Sequence, residues 1–338
     1  MSDFAIFIAL PEELGVAIDV LRANGEFSGE ISDIEAGQRT FLYELGPGLG
    51  NGKSGEVFLI RGMGNTKSAA FVGASLARDT PPRHALLVGI SGSLSPDKVK
   101  LGDVVISSHV KYYAPDKIKD FSDGDLKILS ADEARKVCDP KSAQQVKDFR
   151  DGKKPLLDGR DVLFSNSFFR YCRSRIYRNA EETNIDRFMK LRRNEFGESR
   201  ADGYFLHSGA VLGSNMVLDS KAFVDYIVQK NYCDDMDFYR LNSQHEFGER
   251  CSWDSSDLLA VDMESYGFFS AFEDMRDFST VVQAVAVRGI SDLAAGKSEL
   301  DMGAKGQHRK LATTRAVQVA IDYLRERYRT SRFEVVER

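Results

Sequence analysis

Continuous apolar runs of strand length constrain the fold of this chain most strongly. Runs of this kind occupy residues 5–10, 84–90, 258–263 and 281–290, and residues 103–107 form a shorter one. A strand that is apolar at nearly every position is covered on both faces, as it is between two layers of helices. The pattern therefore predicts an α/β fold whose central mixed sheet is flanked by helices.

Helix signals lie between and after these strands. Pro11, followed by Glu12 and Glu13, suits the first turn of a helix, where proline loses no hydrogen bond and acids face the positive end of the helix dipole. The small residues that follow GMGN predict a second helix. Near the end of the chain, apolar residues recur at helical spacing: Val317, Ala320, Ile321 and Leu324. They predict a long amphipathic closing helix.

Two segments fit this alternation poorly and are interpreted as insertions into one domain. They cover about 114–203 and 229–256, and core-type strands resume after each of them. The predicted domain spans residues 1–330, with residues 331–338 as a C-terminal tail. With 42% hydrophobic residues, the chain has ample material for a buried core.

The glycine-rich run GPGLGNGKSG, at residues 46–55, contains the GKS tripeptide of phosphate-binding loops. Its spacing is wrong for such a loop, because Pro47 stands where the first glycine is needed and has no N–H to donate. Strand-type segments also lie on both sides of the run, whereas a phosphate-binding loop opens a helix. We interpret the run as the turn of a β-hairpin.

Charge and cysteine pattern exclude several classes of function. A net charge of −5 disfavours binding to nucleic acid or to an anionic membrane surface. There is no apolar run long enough to span a membrane and no basic start typical of a signal peptide. The four cysteines and five histidines are scattered, which predicts reduced thiols, no metal site, no cofactor and a cytoplasmic location.

Three acidic residues follow strands or begin helices, at the edge where ligands bind in open α/β sheets. They are Glu13, Glu264 in AVDMES and Asp292 in VRGISD. Each has a purely structural alternative, since Glu13 and Glu264 would also complement a helix dipole and Asp292 would also cap a helix.

The combination of motifs resembles the nucleoside phosphorylase and nucleosidase superfamily, especially its methylthioadenosine/S-adenosylhomocysteine nucleosidase branch. The shared motifs, in chain order, are IALPEE, GMGN, LLVGISGSL with KLGDVVIS, SGAVLGSNMV, AVDMES and VRGISD. The resemblance covers residues 4–113, 206–228 and 258–326. It implies a partly barrel-like central sheet, a homo-oligomer and a small purine nucleoside or nucleotide as the substrate.

The resemblance also implies roles for the three acids in cleaving an N-glycosidic bond. Asp292, assisted by Ser291, would give a proton to N7 of the purine. Glu264 would accept hydrogen bonds from the ribose hydroxyls and stabilise the cationic sugar. Glu13 would activate water. Further substrate contacts would come from the remaining motif residues: Met263 on the sugar, Met216 on the base, and Val217, Ser91, Gly92 and Asn215.

Hydrolysis is favoured over phosphorolysis. The related phosphorylases carry a glycine and an arginine near the N-terminus as phosphate donors, but this chain has Glu12 and Glu13 there, which would repel phosphate. A phosphate-dependent phosphorylase and a nucleotide-sensing module without turnover remain alternatives.

Basic residues are concentrated in the first insertion: Arg170, Arg173, Arg175, Arg178, Arg187, Lys190, Arg192 and Arg193. They predict either a solvated helical face or contacts to the phosphates of a nucleotide or to a partner.

Overall fold

The computed structural model describes residues 2–33, 38–46, 52–77, 81–120, 168–178, 182–196, 203–215, 217–219, 224, 258–275, 282–294 and 302–334. Contacts divide the chain into two compact units. The first comprises Met1–Tyr112, Ile176–Asp219 and Leu258–Arg338, and the second comprises Tyr113–Arg175 and Ser220–Asp257. Most of the two predicted insertions lies outside the described residues, so the single-domain organisation with insertions stays a prediction.

Strands and helices alternate in the described part of the chain. The strands are β1 (Phe4–Ile8), β2 (Gly25–Asp33), β3 (Gln38–Leu45), β4 (Ser54–Leu59), β5 (His84–Ser93), β6 (Val104–Asp120), β7 (Phe168–Arg178), β8 (Leu206–Ser214), β9 (Leu258–Asp262) and β10 (Gln283–Asp292). The helices are α1 (Pro11–Asn24), α2 (Asn65–Leu76), α3 (Glu182–Phe196), α4 (Ser265–Met275) and α5 (Met302–Glu334). None of these helices is long and apolar enough to cross a membrane.

The sheet is mixed and partly closed. Five strands form a ring in the order β10, β6, β8, β9 and β5, because β5 also pairs with β10. From β5 the sheet continues through β1, β4 and β3 to β2, while β7 pairs with β6. Strands β1, β4, β5 and β10 run parallel to one another. Strand β3 pairs antiparallel with β2 on one side and with β4 on the other. The predicted α/β fold with a mixed, partly barrel-like sheet is confirmed.

Both faces of the sheet are buried, as the continuous apolar runs predict. In β1, Phe4, Ile6 and Ile8 belong to one core cluster, and the alternating residues Ala5 and Phe7 belong to the other. Helices α1 and α5 supply apolar side chains to the first cluster, and α2 and α4 supply them to the second. The four apolar residues predicted for the closing helix are all buried in α5. Alternation along a strand thus attaches one helical layer to each face.

The glycine-rich run connects two antiparallel strands, which confirms the hairpin. Strand β3 pairs with β4 on either side of it, with Tyr43 opposite Gly55. The lysine of the GKS tripeptide, Lys53, forms an ion pair with Asp3 at the start of β1, with 2.8 Å between its Nζ and Oδ1 of Asp3. Residues 47–51 of the run lie outside the described part.

Strand β5 is longer than the sequence indicates. The apolar run that predicts this strand ends at residue 90, but the strand continues through Ser93 because Gly92 and Ser93 pair with Val261 and Ala260 of β9. The Ser-Gly-Ser composition is typical of a turn, yet here it forms the part of β5 that belongs to the closed ring. Strand β5 therefore joins the open part of the sheet to the ring.

Helices α2 and α4 approach each other so closely that Gly267 has no room for a side chain. A β-carbon on Gly267 would lie 1.8 Å from the backbone oxygen of Asn65. In contrast, a β-carbon on Gly73, within α2, would have no atom within 4 Å. The two glycines therefore have different reasons for being present.

We expect Gly267→Ala to lower the free energy of unfolding by about 2 kcal/mol or more, because two helix backbones must separate. The matched change Gly73→Ala should raise it by about 0.5 kcal/mol, since alanine loses less backbone entropy in a helix. Urea denaturation of both variants measures the difference. Equal stabilities would contradict the close packing of α2 on α4.

Candidate active site

An open cleft lies at the carboxyl ends of β1, β5 and β10, with an empty volume of about 630 Å³. It is lined by Ala9, Leu10, Glu13, Met63, Ile90, Ser91, Gly92, Val217, Leu218, Val261, Asp262, Met263, Glu264, Ser291, Asp292 and Arg309. Four of these side chains are carboxylates, so the cleft combines a cluster of acidic groups with apolar side chains.

Glu13 is buried at the start of α1 and links this helix to β5. One carboxylate oxygen accepts a hydrogen bond from the backbone N–H of Leu10 at 3.2 Å, and the other accepts one from the N–H of Ile90 at 3.0 Å. The first contact is the structural role expected of an acid in the first helical turn. Burial raises the pKa of Glu13, and the nearby charge of Arg288 opposes this rise. The carboxyl therefore favours its protonated form more than an exposed glutamate does.

Arg288, in the middle of β10, is the buried cation of the site, with 1% of its surface exposed. Its Nη2 atom lies 2.7 Å from Oε2 of Glu264 and also contacts Oδ2 of Asp262. Burial raises the pKa of Glu264 to about 7, Arg288 opposes the rise, and the charges of Asp262 and Glu13 add to it. The Arg288 guanidinium is thus the positive charge shared by three carboxyl groups, those of Glu13, Asp262 and Glu264.

Asp262 positions the backbone that carries Glu264. Its Oδ1 atom accepts hydrogen bonds from the N–H groups of Glu264 and Ser265 at 3.3 and 3.0 Å, and the Ser265 hydroxyl donates to its Oδ2. These contacts cap α4 and stop β9 at Asp262. The helix start and the ion pair with Arg288 together hold Glu264 at the cleft.

Two glycines of β5 leave room for the polar groups. A β-carbon on Gly89 would lie 2.9 Å from Nη1 of Arg288 and 3.1 Å from Oε1 of Glu13, so both groups face the space above this glycine. A β-carbon on Gly92 would lie 2.7 Å from Oδ1 of Asp292. Asp292 is paired with Gly92 across an irregularity at the end of β10, which directs its carboxylate toward β5.

Asp292 is held by short-range contacts. Its Oδ2 atom accepts a hydrogen bond from the Ser291 hydroxyl at 3.1 Å, and its Oδ1 atom accepts one from the N–H of Ala294 at 2.9 Å. The Ser291 hydroxyl also lies 3.4 Å from the backbone oxygen of Ser91. Because a hydroxyl donates one hydrogen bond at a time, Ser291 can turn from Asp292 to Ser91 when Asp292 carries a proton.

The cleft brings together eight of the ten residues predicted from the sequence: Glu13, Ser91, Gly92, Val217, Met263, Glu264, Ser291 and Asp292. Asn215 does not line it. The Asn215 side chain accepts a hydrogen bond from Asn65 at 3.2 Å and donates one to the Tyr112 hydroxyl at 2.7 Å. Met216 lies outside the described residues, so its predicted contact with the base stays a prediction.

Sequence reasoning missed Arg288, Asp262 and Asn65. Arg288 interrupts an apolar strand, and a buried charge requires partners, so this signal was available. Asp262 stands before a serine at a helix start, which is a capping pattern. Asn65 belongs to the GMGN motif, but nothing in that motif indicates which groups it contacts. It donates to the Ser214 backbone oxygen and accepts from Gly267 N–H, contacts that only the packing of β8, α2 and α4 creates.

The basic residues of the first predicted insertion lie partly on α3. Arg187 and Lys190 are exposed, and Arg192 pairs with Asp322 of α5 at 2.7 Å. This arrangement agrees with the solvated-face interpretation for α3, and the side chains of the other five lie outside the described residues. In the part of the chain that the structure describes, His, Cys, Asp and Glu residues form no group of three that could hold a metal ion.

We expect Arg288→Met to lower the free energy of unfolding by about 3 to 5 kcal/mol at pH 8, because it leaves buried carboxylates without a cation. The folded-state pKa values of Glu13 and Glu264, already raised, should rise further. A carboxyl whose pKa is raised in the folded state destabilises the fold at pH values at which the unfolded chain has already lost that proton. The deficit should therefore shrink as pH falls toward 5.

Urea denaturation at pH 8 and pH 5 measures this change. Arg329→Met is the matched control, since Arg329 is 52% exposed and pairs with Glu326 at 3.7 Å, a pair of little energetic value. A deficit for Arg288→Met that is independent of pH would contradict the shared-cation arrangement.

The fold is similar to those of solved nucleosidases. The 5′-methylthioadenosine/S-adenosylhomocysteine nucleosidase of Neisseria meningitidis, in complex with methylthio-immucillin-A, is 14% identical, with a TM-score of 0.55 over 96% of this chain and 99% of that one. The futalosine hydrolase of Helicobacter pylori is 14% identical, with a TM-score of 0.55 over 96% and 98%. The corresponding nucleosidase of Colwellia psychrerythraea, in complex with adenine, is 15% identical, with a TM-score of 0.53 over 96% and 95%.

Sequence comparison identifies the family. No curated protein sequence matches the chain significantly. The sequence pattern of the phosphorylase superfamily, however, matches residues 3–325, which include every described residue of the cleft. The chain therefore belongs to the phosphorylase superfamily.

Proposed function

We propose that the protein hydrolyses the N-glycosidic bond of a purine nucleoside or nucleotide, releasing the base and a ribose or phosphoribose. The observation that carries this proposal is the convergence of Glu13, Glu264 and Asp292 on one cleft. Bond cleavage of this kind needs an acid for the leaving base, an anion for the cationic sugar and a base for water. Each carboxyl group is held in a different environment, which suits three different tasks.

Asp292 acts as the general acid. It transfers a proton to N7 of the purine as the bond between C1′ and N9 breaks, so the base leaves without a full negative charge. The Ser291 hydroxyl supports the step because it has two acceptors within reach, Asp292 at 3.1 Å and the Ser91 backbone oxygen at 3.4 Å. It follows the proton by turning from one to the other.

Glu264 accepts hydrogen bonds from the 2′ and 3′ hydroxyls of the ribose and stabilises the positive charge that develops on the sugar. This role requires the carboxylate form. Arg288 favours that form, whereas burial opposes it, and the resulting pKa is about 7. Because Arg288 and the cap at Asp262 fix the side chain before substrate binds, little reorganisation is needed during the reaction.

Glu13 accepts a proton from water as the water oxygen bonds to C1′. Its raised pKa makes it a stronger base than an exposed glutamate. Phosphate is a poor alternative nucleophile here, because Glu13 and Glu264 would repel it across the cleft. Hydrolysis is therefore favoured over phosphorolysis. The ligands of the solved relatives, a nucleoside analogue and adenine, agree with a purine substrate. A cytoplasmic location and a homo-oligomer remain predictions.

We expect the protein to release free base from at least one member of a panel of purine nucleosides and nucleotides, without added phosphate. Asp292→Asn should lower kcat by about 100-fold or more, because the amide has no proton to transfer. Asp3→Asn is the matched control, since Asp3 pairs with Lys53 at the start of β1 and does not line the cleft.

Chromatography of the products, with and without added phosphate, measures base release by hydrolysis and by phosphorolysis. Full activity in Asp292→Asn would contradict the role of Asp292, and base release that requires phosphate would establish a phosphorylase instead. Tight binding in calorimetry without cleavage of any bound compound would indicate a sensing module.

We expect kcat/KM to rise with pH through a midpoint of about 7 or above, because Glu264, with a pKa of about 7, and Glu13, with a raised pKa, must both lose their protons to act. Asp262→Asn should move the midpoint to lower pH, since the charge of Asp262 is one cause of the raised pKa. Initial rates between pH 5.5 and 8.5 measure the shift. An unchanged midpoint in Asp262→Asn would show that a group other than Glu264 controls the rise of kcat/KM with pH.

A further inference from the structure

Arg309 is the cation of the described cleft lining, and it lies at the mouth. It belongs to α5, its side chain is 42% exposed, and it lines the cleft together with Met63 and Val217, which are 49% and 58% exposed. Arg288, by contrast, is fully buried behind the carboxylates. The cleft therefore has a deep acidic part and a mouth that combines apolar surface with one accessible positive charge.

A ligand anion can replace Glu12, which forms an ion pair with Arg309. The Nη1 atom of Arg309 lies 2.6 Å from Oε1 of Glu12, whose side chain is 60% exposed. An ion pair so open to water contributes little to stability, because solvent screens the charges. Exchanging the Glu12 carboxylate for a ligand anion thus has a small cost, and the pair holds the guanidinium near the cleft until a ligand arrives.

We place the 5′ side of a bound nucleoside at the exposed part of the cleft lining, where Arg309 lies. In the proposed reaction, Asp292 holds the base, and Glu264 with Glu13 surrounds the ribose at C1′, C2′ and C3′. The exposed part of the described lining includes Met63, Val217 and the side chain of Arg309. The 5′ carbon of a nucleoside held in this way would be its outermost part and would be directed toward these residues.

We propose that Arg309 binds an anionic group on the 5′ carbon of the substrate, a phosphate or a carboxylate. This inference rests on the proposed function and specifies its substrate class. Four carboxylates line the cleft, so an anionic substrate needs a cation at the place where its own charge lies. Guanidinium groups bind phosphate and carboxylate through two parallel hydrogen bonds, a geometry that Arg309 offers and a lysine would not.

The test compares each purine nucleoside with its 5′-monophosphate and with an analogue that carries a 5′-carboxylate, in wild type, Arg309→Gln and Arg329→Gln. Arg329 is the matched control, because it forms an exposed pair on the same helix, roughly 30 Å farther along it. We expect wild type to prefer one of the two anionic substrates by at least about tenfold in kcat/KM. Arg309→Gln should remove this preference, mainly through KM, and Arg329→Gln should retain it.

The anionic substrate that wild type cleaves with the higher kcat/KM shows whether the bound anion is a phosphate or a carboxylate. The proposal is overturned if wild type cleaves the uncharged nucleosides as well as the anionic ones, or if Arg309→Gln lowers kcat/KM for all substrates equally. It is also overturned if inorganic phosphate stimulates base release and Arg309→Gln removes the stimulation, since Arg309 would then bind a nucleophile.

Failure of the proposed function has a different signature. If no compound releases base, calorimetry with nucleosides and their 5′-monophosphates still tests Arg309. Tighter binding of the monophosphate by wild type but not by Arg309→Gln would support the anion site in a protein without turnover. Equal binding of the nucleoside, its 5′-monophosphate and its 5′-carboxylate analogue by wild type would reject it.

Discussion

The buried cation Arg288 is the constraint on which the rest of the site depends. Three carboxyl groups, Glu13, Asp262 and Glu264, are placed in a poorly hydrated part of the protein, where carboxylates are unstable unless a positive charge is close. Arg288 contacts two of them directly and shares the space above Gly89 with the third. The protonation states of Glu13 and Glu264 are therefore linked, and a change at one of them alters the other.

Strand β5 makes this cluster possible because it has three neighbours. It pairs with β1, β10 and β9, so it joins the open part of the sheet to the closed ring. Glu13 follows β1, Arg288 and Asp292 lie on β10, and Glu264 follows β9. Because residues 89 and 92 are glycines, they place no side chain in the space between these groups. The same strand thus determines the topology and the separation of the polar groups.

Much of the fold and part of the site could be predicted from the sequence. The apolar runs predict strands covered on both faces, and the residues of β1 alternate between two cores as this requires. The GKS run was correctly assigned to a hairpin because strands flank it. The end of β5 was predicted wrongly, since Ser-Gly-Ser is typical of turns whereas pairing with β9, a long-range contact, extends the strand. Arg309 gave no signal, because a charged residue on a helix is ordinarily solvated.

The sequence by itself determined the layered α/β fold and the candidate acids, because hydrophobic periodicity and the positions of acids after strands are local properties of the chain. Only the tertiary structure decided how these acids are used. Which carboxylates share Arg288, which lie against the backbone of β5, and which cation stands at the mouth all depend on elements distant in sequence. Electrostatic interactions act over a few ångströms in space, so the pattern of charges acquires its chemical meaning only after the strands have paired.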